Sequence, residues 1–345
     1  SRMRGGYDIG MNRRQFCAGI WGALVAGRIA RDGEARAAAP NLATPGWMGF
    51  MNKTAGGKQF WADVCFFHDW RIQRHALSGH YRLLDGENRR HAWGSYETCR
   101  HALDEIRLRD KLPPMQGKAV VILHGLFRTR SAMARLRAAI AEGGDYSVFC
   151  MGYPTTRGSV ADHARSLDSA VRSLEGITEI NFVAHSLGNL VVRHWLKDFA
   201  VAGTSLPAGQ TFGRMVMLAP PNFQPQLATK LLRTQFATFV AGAAAEQMAT
   251  GWEDLESRLT TPTFEFGVLA GGKGDNRGYN PLIPGDDDGV ITVESTRLPG
   301  ARDFRRLPVL HSFFMNDQKV HEMAARFLAH GYFESDDARQ PIQSI

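Results

Sequence analysis

The sequence predicts an α/β protein built on an open, mostly parallel sheet with helices on both faces. From residue 118 to about residue 335, short apolar runs alternate with segments whose apolar residues recur at helical spacing. The runs are apolar at every position, which is typical of parallel strands buried on both faces. Of the 345 residues, 44% are apolar and 22% are charged, the composition of an ordinary globular protein. Strands that alternate with helices favour right-handed crossovers within one sheet.

The first 39 residues have the pattern of an export signal. Arg13-Arg14 precede a short apolar run over 16–27, and a small-residue cleavage site follows at 37–39. The paired arginines resemble a Tat signal, so we expect cleavage near Ala39, upstream sequence before a start at Met11, and a periplasmic or secreted bacterial protein. The alternative is an amphipathic N-terminal helix of a cytoplasmic protein.

The net charge of +7 is concentrated at the front of the chain. Residues 1–39 hold seven arginines and three acidic residues, which leaves residues 40–345 with a net charge of only +3. The sequence also shows no basic stripe with interleaved aromatic residues. No nucleic-acid partner is therefore predicted.

Residues 40–117 form an N-terminal extension to which the sequence assigns no function. Three short strands, a turn and a helix are expected here, in the order 60–67, 69–73, 80–84, 85–88 and 97–109. The helix carries apolar residues at Leu103, Ile106 and Leu108. Because this segment precedes the main sheet, we expect extra edge strands and a helix packed on the core.

Three cysteines follow the predicted signal, so at most one internal disulfide can form. Cys65 and Cys99 are the pair that we considered, and two free buried thiols are the alternative. Cys150 lies in an apolar run and is expected to be a buried thiol.

The main domain is expected over residues 118–335. Strands are predicted at 119–123, 146–151, 180–184, 215–219 and 264–270, and helices at about 131–142, 160–176, 188–200 and 317–330. No G-x-G-x-x-G sequence follows the first strand, so a dinucleotide-binding fold has no support. Residues 221–262 interrupt the alternation with apolar side chains at helical spacing, namely Leu227, Leu231, Leu232, Phe236, Phe239 and Val240.

A serine lies at the predicted bend between a strand and a helix. In Ala184-His185-Ser186-Leu187-Gly188, small residues stand two positions before and two positions after the serine, as a sharp strand–turn–helix bend requires. Such a bend lifts the serine Oγ above the sheet and directs the helix N-terminus toward it. Alanine replaces the usual first glycine and is slightly less permissive of a strained backbone. The pattern predicts that Ser186 is a nucleophile.

The loop after the first core strand is the candidate oxyanion hole. Acyl-transfer serine enzymes of this fold place one backbone N–H donor here and a second directly after the nucleophile. The loop reads His124-Gly125-Leu126-Phe127. We therefore expect donors from Leu126 or Phe127 and from Leu187.

A carboxylate and an imidazole follow the serine in the order expected of a catalytic triad. Ser186 is a poor nucleophile until a base takes its proton, and His311 is the candidate base. Asp288 directly precedes a glycine and an apolar run, and it is the candidate that orients His311. Asp286 and Asp287 are the neighbouring alternatives. The order Ser, Asp, His matches that of nucleophile-elbow enzymes.

Over residues 118–331 these motifs resemble the α/β-hydrolase superfamily, and within it the esterases and triacylglycerol lipases. The resemblance implies an acyl-enzyme mechanism with no organic cofactor and no catalytic metal, and it leaves open a structural calcium at the acidic cluster. It also implies that the insertion at 221–262 is a helical cap over an acyl pocket; the alternative is a helix that only buries the core. Many relatives have Pro-x-x-Gly-Ser after the strand at 215–219, whereas this chain has Pro220-Pro221-Asn222. That departure weakens the inference of a lipase-like substrate.

The predicted function is an exported serine hydrolase that cleaves carboxylic esters of small molecules or lipids. The alternatives are an amidase, a thioesterase or an acyltransferase on the same triad, or a non-enzymatic binding protein of the same fold. Transient contact with a lipid surface is left open. Arg128 and Arg130 are expected to face solvent, with an anionic substrate or phospholipid head group as the alternative partner. No oligomeric state is predicted.

Overall fold

The computed structural model describes residues 58–223 and 242–343. The predicted export signal and the apolar residues of the predicted cap, from Leu227 to Val240, lie outside these ranges. The helices and strands of the described ranges are β1 (Trp61–Phe67), β2 (Trp70–His75), β3 (Tyr81–Leu84), β4 (Arg90–Gly94), α1 (Tyr96–Arg109), β5 (Gly117–Leu123), α2 (Ala134–Glu142), β6 (Tyr146–Met151), α3 (Val160–Arg172), β7 (Ile177–His185), α4 (Leu187–Val201), β8 (Thr211–Leu218), α5 (Ala243–Ala249), α6 (Trp252–Ser257), β9 (Phe266–Gly271), β10 (Asp303–Leu307) and α7 (Gln318–His330).

The larger sheet has six strands, all parallel, in the order β10-β9-β8-β7-β5-β6. The chain first moves outward from β5 to β6 and then crosses back to add β7 on the other side of β5. This reversal places the carboxyl ends of β5 and β7 side by side, which is where open α/β sheets bind ligands. The predicted fold class, an open parallel sheet with helices on both faces, is confirmed.

Each central strand packs on both of its faces. In β5, Val121 and Leu123 belong to a core shared with α3, α4 and the N-terminal strands, whereas Val120 and Ile122 belong to a core shared with α2 and α7. All four side chains are buried. Each such burial stabilises the fold by about 1.5–3 kcal/mol. Because successive side chains point to opposite buried faces, the strands read as uninterrupted apolar runs.

The N-terminal strands form an antiparallel sheet of their own, in the order β1-β2-β3-β4, and do not extend the parallel sheet as edge strands. The two sheets meet just beyond the end of β6. There the Asp63 N–H donates to the Gly152 carbonyl over 2.8 Å, and the Gly152 N–H donates to the Asp63 carboxylate over 2.6 Å. Asp63 is fully buried at this junction and also accepts a hydrogen bond of 2.7 Å from Gln73.

Helix α1 buries one of its faces. Cys99, Leu103 and Ile106 are buried at helical spacing, whereas Leu108 is 80% exposed. Leu108 follows Ile106 by only two positions, so it lies on a different side of the helix.

Cys65, Cys99 and Cys150 are free, buried thiols. The disulfide between Cys65 and Cys99 that we considered is therefore absent among these described residues. Burial raises the pKa of Cys99 and of Cys150 to about 11, so both remain protonated and unreactive at neutral pH.

The sequence prediction missed β10. This strand contains Asp303, Arg305 and Arg306, so it does not read as an apolar run. Asp303 is buried and accepts hydrogen bonds from the backbone N–H groups of Phe333 and Gln340. Its charge is thus compensated by contacts that come from later in the chain.

The described part of the insertion packs on the core. Helix α5 buries Ala244, Ala245 and Met248, and the side-chain carbonyl of Gln247 accepts a hydrogen bond of 2.9 Å from the Val160 N–H at the start of α3. These contacts correspond to the core-burying alternative for this part of the segment.

Candidate active site

Ser186 lies at a strained bend between β7 and α4. Its backbone has φ 53° and ψ −120°, a conformation that non-glycine residues rarely adopt. The Ser186 N–H donates to the Leu218 carbonyl over 3.0 Å, which ties the bend to the end of β8. Ala184 lies inside β7 and pairs with Leu123 across the sheet. The strain therefore falls on the serine itself and not on the alanine that replaces the usual glycine.

Two glycines allow other segments to approach this bend. A Cβ on Gly188 would lie 2.8 Å from Leu123 Cβ and 3.0 Å from the Leu123 carbonyl oxygen. A Cβ on Gly125 would lie 2.8 Å from His185 Nδ1 and 3.1 Å from Ser186 Cβ. Contacts this short are not tolerated, so glycine at both positions lets α4 and the loop after β5 close on the serine.

The three residues predicted as a triad lie within hydrogen-bonding distance of one another. Ser186 Oγ is 3.0 Å from His311 Nε2, and His311 Nδ1 is 2.7 Å from Asp288 Oδ2. With Nδ1–H donating to the carboxylate, Nε2 is the acceptor for the serine hydroxyl. Asp288 is 1% exposed and His311 is 8% exposed, so water competes little for either bond.

The three carboxylates of the acidic cluster have different hydrogen-bonding partners. Asp286 accepts from the N–H groups of Lys273 and Gly274, and Asp287 accepts from those of Asn280 and Gly289. Asp288 alone of the three faces His311. These separate contacts distinguish the acids, which the sequence could order only by their distance from the following glycine.

Asp288 is also fixed from behind. Its second oxygen, Oδ1, accepts from the N–H groups of Val290 at 3.0 Å and Ile291 at 2.8 Å. The His311 N–H donates to the Asp288 carbonyl over 2.9 Å. Backbone and side chain of the acid therefore both hold the imidazole in position.

The candidate oxyanion donors differ in their hydrogen bonding. The Phe127 N–H donates to the Thr155 hydroxyl over 3.2 Å. Within the described ranges, the N–H groups of Leu126 and Leu187 have no acceptor, and Leu187 is the first residue of α4. Of the two alternatives in the loop after β5, Leu126 is therefore the one with an N–H available to a substrate.

His185 makes a contact that the motif analysis did not assign. Its Nε2–H donates to the His311 carbonyl over 3.0 Å, and the two rings lie 4.9 Å apart between centroids. Burial and the neighbouring His311 hold the pKa of His185 well below its usual value. A neutral His185 thus supports the backbone of the candidate base and adds no competing charge. His185 lies inside the sequence motif, but the motif does not predict this contact. The contact forms only when the end of β7 packs against His311 in the folded protein.

Further histidines lie behind the loop after β5. His124 stacks on Tyr153 with ring centroids 4.3 Å apart, and His163 lies 5.0 Å from the same tyrosine ring. Burial lowers the pKa of His124 to about 4 and that of His163 to about 3. Both are neutral at physiological pH, so this layer supports the loop without placing positive charge beneath it.

Arg128 and Arg130 are both half-buried and do not simply face solvent. The Arg128 carbonyl accepts a hydrogen bond of 3.0 Å from the Gln59 side chain. Arg130 lies beside Gly152, at the junction with the N-terminal sheet.

Two kinds of feature were not found in the part of the chain that the structure describes. No three His, Cys, Asp or Glu side chains there come together as a metal ion would require. None of the helices there combines the length and the apolar character needed to cross a membrane.

Several solved structures are similar to this chain. A lipase from Bacillus licheniformis in its propeptide form is 19% identical, with a TM-score of 0.43 over 58% of this chain and 48% of the lipase. A phospholipase from Legionella pneumophila in complex with thio-NAD is 20% identical, with a TM-score of 0.41 over 52% of this chain and 44% of the phospholipase. A hyperthermophilic esterase from the archaeon Pyrobaculum calidifontis is 14% identical, with a TM-score of 0.43 over 76% of this chain and 80% of the esterase.

This chain spans less than half the length of the first two of these proteins. No protein-family model matches the sequence, and no curated protein matches it. We therefore infer function from this chain's own geometry.

Proposed function

We propose that this protein is a serine hydrolase that cleaves carboxylic esters through an acyl-enzyme intermediate. The observation that carries the proposal is the continuous chain from Ser186 Oγ to His311 Nε2 at 3.0 Å and from His311 Nδ1 to Asp288 Oδ2 at 2.7 Å. Acyl transfer requires three parts: a nucleophilic hydroxyl, a base within hydrogen-bonding distance of it, and a carboxylate that orients the base.

Acylation begins when Ser186 Oγ attacks the ester carbonyl carbon and His311 takes the serine proton on Nε2. Asp288 stabilises the resulting imidazolium through the Nδ1–H bond and remains a carboxylate. His311 then gives the proton to the leaving alcohol as the carbon–oxygen bond breaks. For deacylation, His311 removes a proton from water, the hydroxide adds to the acyl carbon, and Ser186 leaves with the proton returned.

Two backbone groups are suited to stabilise the tetrahedral intermediate. The N–H of Leu187 points from the first turn of α4, where the helix dipole adds positive potential. The Leu126 N–H comes from the adjacent loop after β5. Loss of one preorganised donor of this kind typically costs about 3–4 kcal/mol of transition-state stabilisation.

The first experiment asks whether Ser186 is a nucleophile. A fluorophosphonate probe is expected to label the folded wild-type protein and to leave Ser186→Ala unlabelled. Ser186→Ala and His311→Ala are each expected to lower turnover by about 10⁴-fold or more. An unlabelled but folded wild-type protein would favour a binding protein of the same fold over an enzyme.

The choice of acid has its own test. Asp288→Asn is expected to lower kcat by about 10⁴-fold, because an amide cannot stabilise the imidazolium. Asp287→Asn is the matched control, since this carboxylate contacts backbone N–H groups and not His311. If Asp287→Asn inactivates the enzyme and Asp288→Asn does not, the assigned acid is wrong.

A panel of p-nitrophenyl esters, anilides and thioesters of increasing acyl length separates the chemistries that one triad can perform. We expect kcat/KM to be greatest for the esters. A preference for anilides or thioesters would replace the ester assignment with an amidase or thioesterase. A lipid ester presented in vesicles extends the panel to surface-bound substrates.

We also propose export to the periplasm or the medium, on the sequence pattern of residues 11–39 alone. Fractionation of a bacterial host that expresses the full chain tests this proposal. The mature protein is expected outside the cytoplasm, and Arg13→Lys with Arg14→Lys is expected to retain it inside.

A further inference from the structure

We propose that Gln59 and Thr155 are positioning residues that hold the oxyanion loop, residues 124–128, in its active form. The inference rests on the proposed serine hydrolase function. It gives the N-terminal extension a role, since Gln59 lies in the short turn Lys58–Phe60 directly before β1.

The oxyanion loop contains a β-turn in an uncommon conformation. The Arg128 N–H donates to the Gly125 carbonyl over 3.2 Å, which closes a turn with Leu126 and Phe127 at its centre. Phe127 has φ 59°, a value that favours glycine or asparagine at the third position of a turn. A bulky residue persists there only when its surroundings fix it.

Thr155 and Gln59 supply that fixation from outside the loop. The Phe127 N–H donates to Thr155 Oγ1 over 3.2 Å, and the Thr155 hydroxyl in turn donates to Gln59 Oε1 over 3.2 Å. Gln59 Nε2 donates to the Arg128 carbonyl over 3.0 Å. The two side chains therefore connect, in one circuit, the peptide at the centre of the turn with the peptide that leaves the turn after Arg128.

Each hydrogen bond of this circuit has only one possible direction. A hydroxyl that donates to Gln59 presents a lone pair to the Phe127 N–H, and a glutamine that accepts from Thr155 has its NH₂ group directed at Arg128. Thr155 is fully buried, so water cannot readily replace it. The circuit thus selects one orientation of the peptide between Leu126 and Phe127.

The other end of the loop is fixed independently. The Tyr153 hydroxyl donates to the His124 carbonyl, and the two rings stack. Tyr153 and Thr155 belong to the segment that Asp63 anchors through Gly152. The N-terminal sheet therefore supports the segment that holds the loop, and the Leu126 N–H lies between the two fixed ends.

The consequence for catalysis is specific. If the turn loses its outer hydrogen bonds, its backbone can shift as a whole. The Leu126 N–H, which lies in the preceding peptide between Gly125 and Leu126, is then no longer held in a fixed position for the oxyanion. Ground-state binding of the ester makes little use of that donor, whereas the tetrahedral state depends on it. A positioning role thus predicts an effect on kcat with little effect on KM.

The test compares Thr155→Val and Gln59→Ala with the wild type on one p-nitrophenyl ester. We expect kcat to fall by roughly 10–100-fold for Thr155→Val and somewhat less for Gln59→Ala, with KM within about threefold. Thr155→Ser, which keeps the hydroxyl, is expected to restore most of the activity. Because the residues act as one circuit, the double variant is expected to lose little more than Thr155→Val alone.

A boronic acid inhibitor separates positioning from general damage. Its boron accepts an electron pair from Ser186 Oγ, the serine proton passes to His311, and no group leaves, so the adduct resembles the tetrahedral intermediate. We expect its inhibition constant to rise by the same factor as kcat falls. The control variants are Thr178→Val, whose hydroxyl donates to the Gly117 carbonyl at the amino ends of β5 and β7, and Gln116→Ala on the surface.

The outcomes are distinct. Unchanged kcat in both Thr155→Val and Gln59→Ala, with an active wild type, would overturn the inference. A loss of kcat without weaker boronic acid binding would also overturn it. If Thr155→Val does not fold, half-buried Gln59 still gives the answer through Gln59→Ala and Gln59→Leu. A wild type that neither turns over ester nor reacts with the fluorophosphonate would remove the proposed function first, and this inference with it.

Discussion

Ser186 has two separate effects on the protein, one through its hydroxyl and one through its backbone. The hydroxyl contacts His311, while the backbone is held at φ 53° by the strand before it and the helix after it. Strain of this kind typically costs about 1–3 kcal/mol and persists at functional sites because the surrounding fold compensates for it. Stability and activity therefore oppose each other at this residue.

We expect Ser186→Gly to be more stable than Ser186→Ala by about 1 kcal/mol. Both variants lose the hydroxyl and the activity, but only glycine relieves the strained φ, and its greater unfolded-state entropy removes part of that gain. Chemical denaturation of the two inactive proteins measures the difference directly. A more stable alanine variant would mean that the bend is not strained at this position.

The element that organises the site is the strand–bend–helix unit of β7, Ser186 and α4. The first turn of α4 packs against the end of β5, and this turn begins with Leu187, whose N–H is a proposed oxyanion donor. Gly188 makes the approach possible, since a Cβ there would lie 2.8 Å from Leu123 Cβ. The spacing of small residues in the motif is thus a packing requirement between a helix and a neighbouring strand.

Gly188→Ala is expected to destabilise the protein by about 1–3 kcal/mol, because overpacking against a strand backbone forces the helix outward. The displaced Leu187 N–H should also lower kcat by roughly tenfold. Gly251→Ala is the matched control, since its Cβ would lie no closer than 3.4 Å to other atoms. Thermal unfolding and ester turnover measured on both variants make the comparison. Equal behaviour of the two would contradict the packing explanation.

At the scale of the whole molecule, neutral histidines are buried on both sides of the oxyanion loop. His124 and His163 have pKa values lowered by burial to about 4 and about 3, and burial also holds the pKa of His185 well below its usual value. In the unfolded chain such groups titrate near 6.5. The folded protein is therefore linked to pH through groups that do not take part in the proposed reaction.

As the pH falls below about 6.5, the unfolded chain binds protons on these histidines before the folded protein does. The free energy of unfolding should therefore decrease from about pH 6.5 toward pH 4, with each histidine contributing a slope of up to about 1.4 kcal/mol per pH unit. Above pH 7 these groups should contribute no pH dependence. Urea denaturation at a series of pH values measures the slope.

The control for this prediction is His163→Leu, which removes one buried histidine that takes no part in the proposed reaction. The difference in unfolding free energy between this variant and the wild type should change between pH 6.5 and pH 4 and stay constant above pH 7. A difference that is independent of pH throughout would show that His163 is not neutral and buried in the folded state.

The sequence by itself determined the parallel sheet and the order of the candidate catalytic residues along the chain. Uninterrupted apolar runs can be buried only on both faces, so they predicted most of the parallel strands, and the small residues around Ser186 predicted the bend. The sequence did not predict β10, because its charged residues are compensated by backbone groups from distant parts of the chain.

Only the tertiary structure decided which groups meet. The sequence favoured Asp288 over Asp286 and Asp287 only by its position before a glycine. In the folded loop, the Asp288 carboxylate contacts His311, whereas those of Asp286 and Asp287 contact backbone N–H groups. Leu126 was separated from Phe127 by a hydroxyl 28 residues later in the chain, at Thr155. The role of the N-terminal sheet likewise depends on Asp63 and Gln59 reaching segments about 90 positions away. Local patterns encode burial and bends, whereas hydrogen bonds between distant segments exist only after the chain has folded.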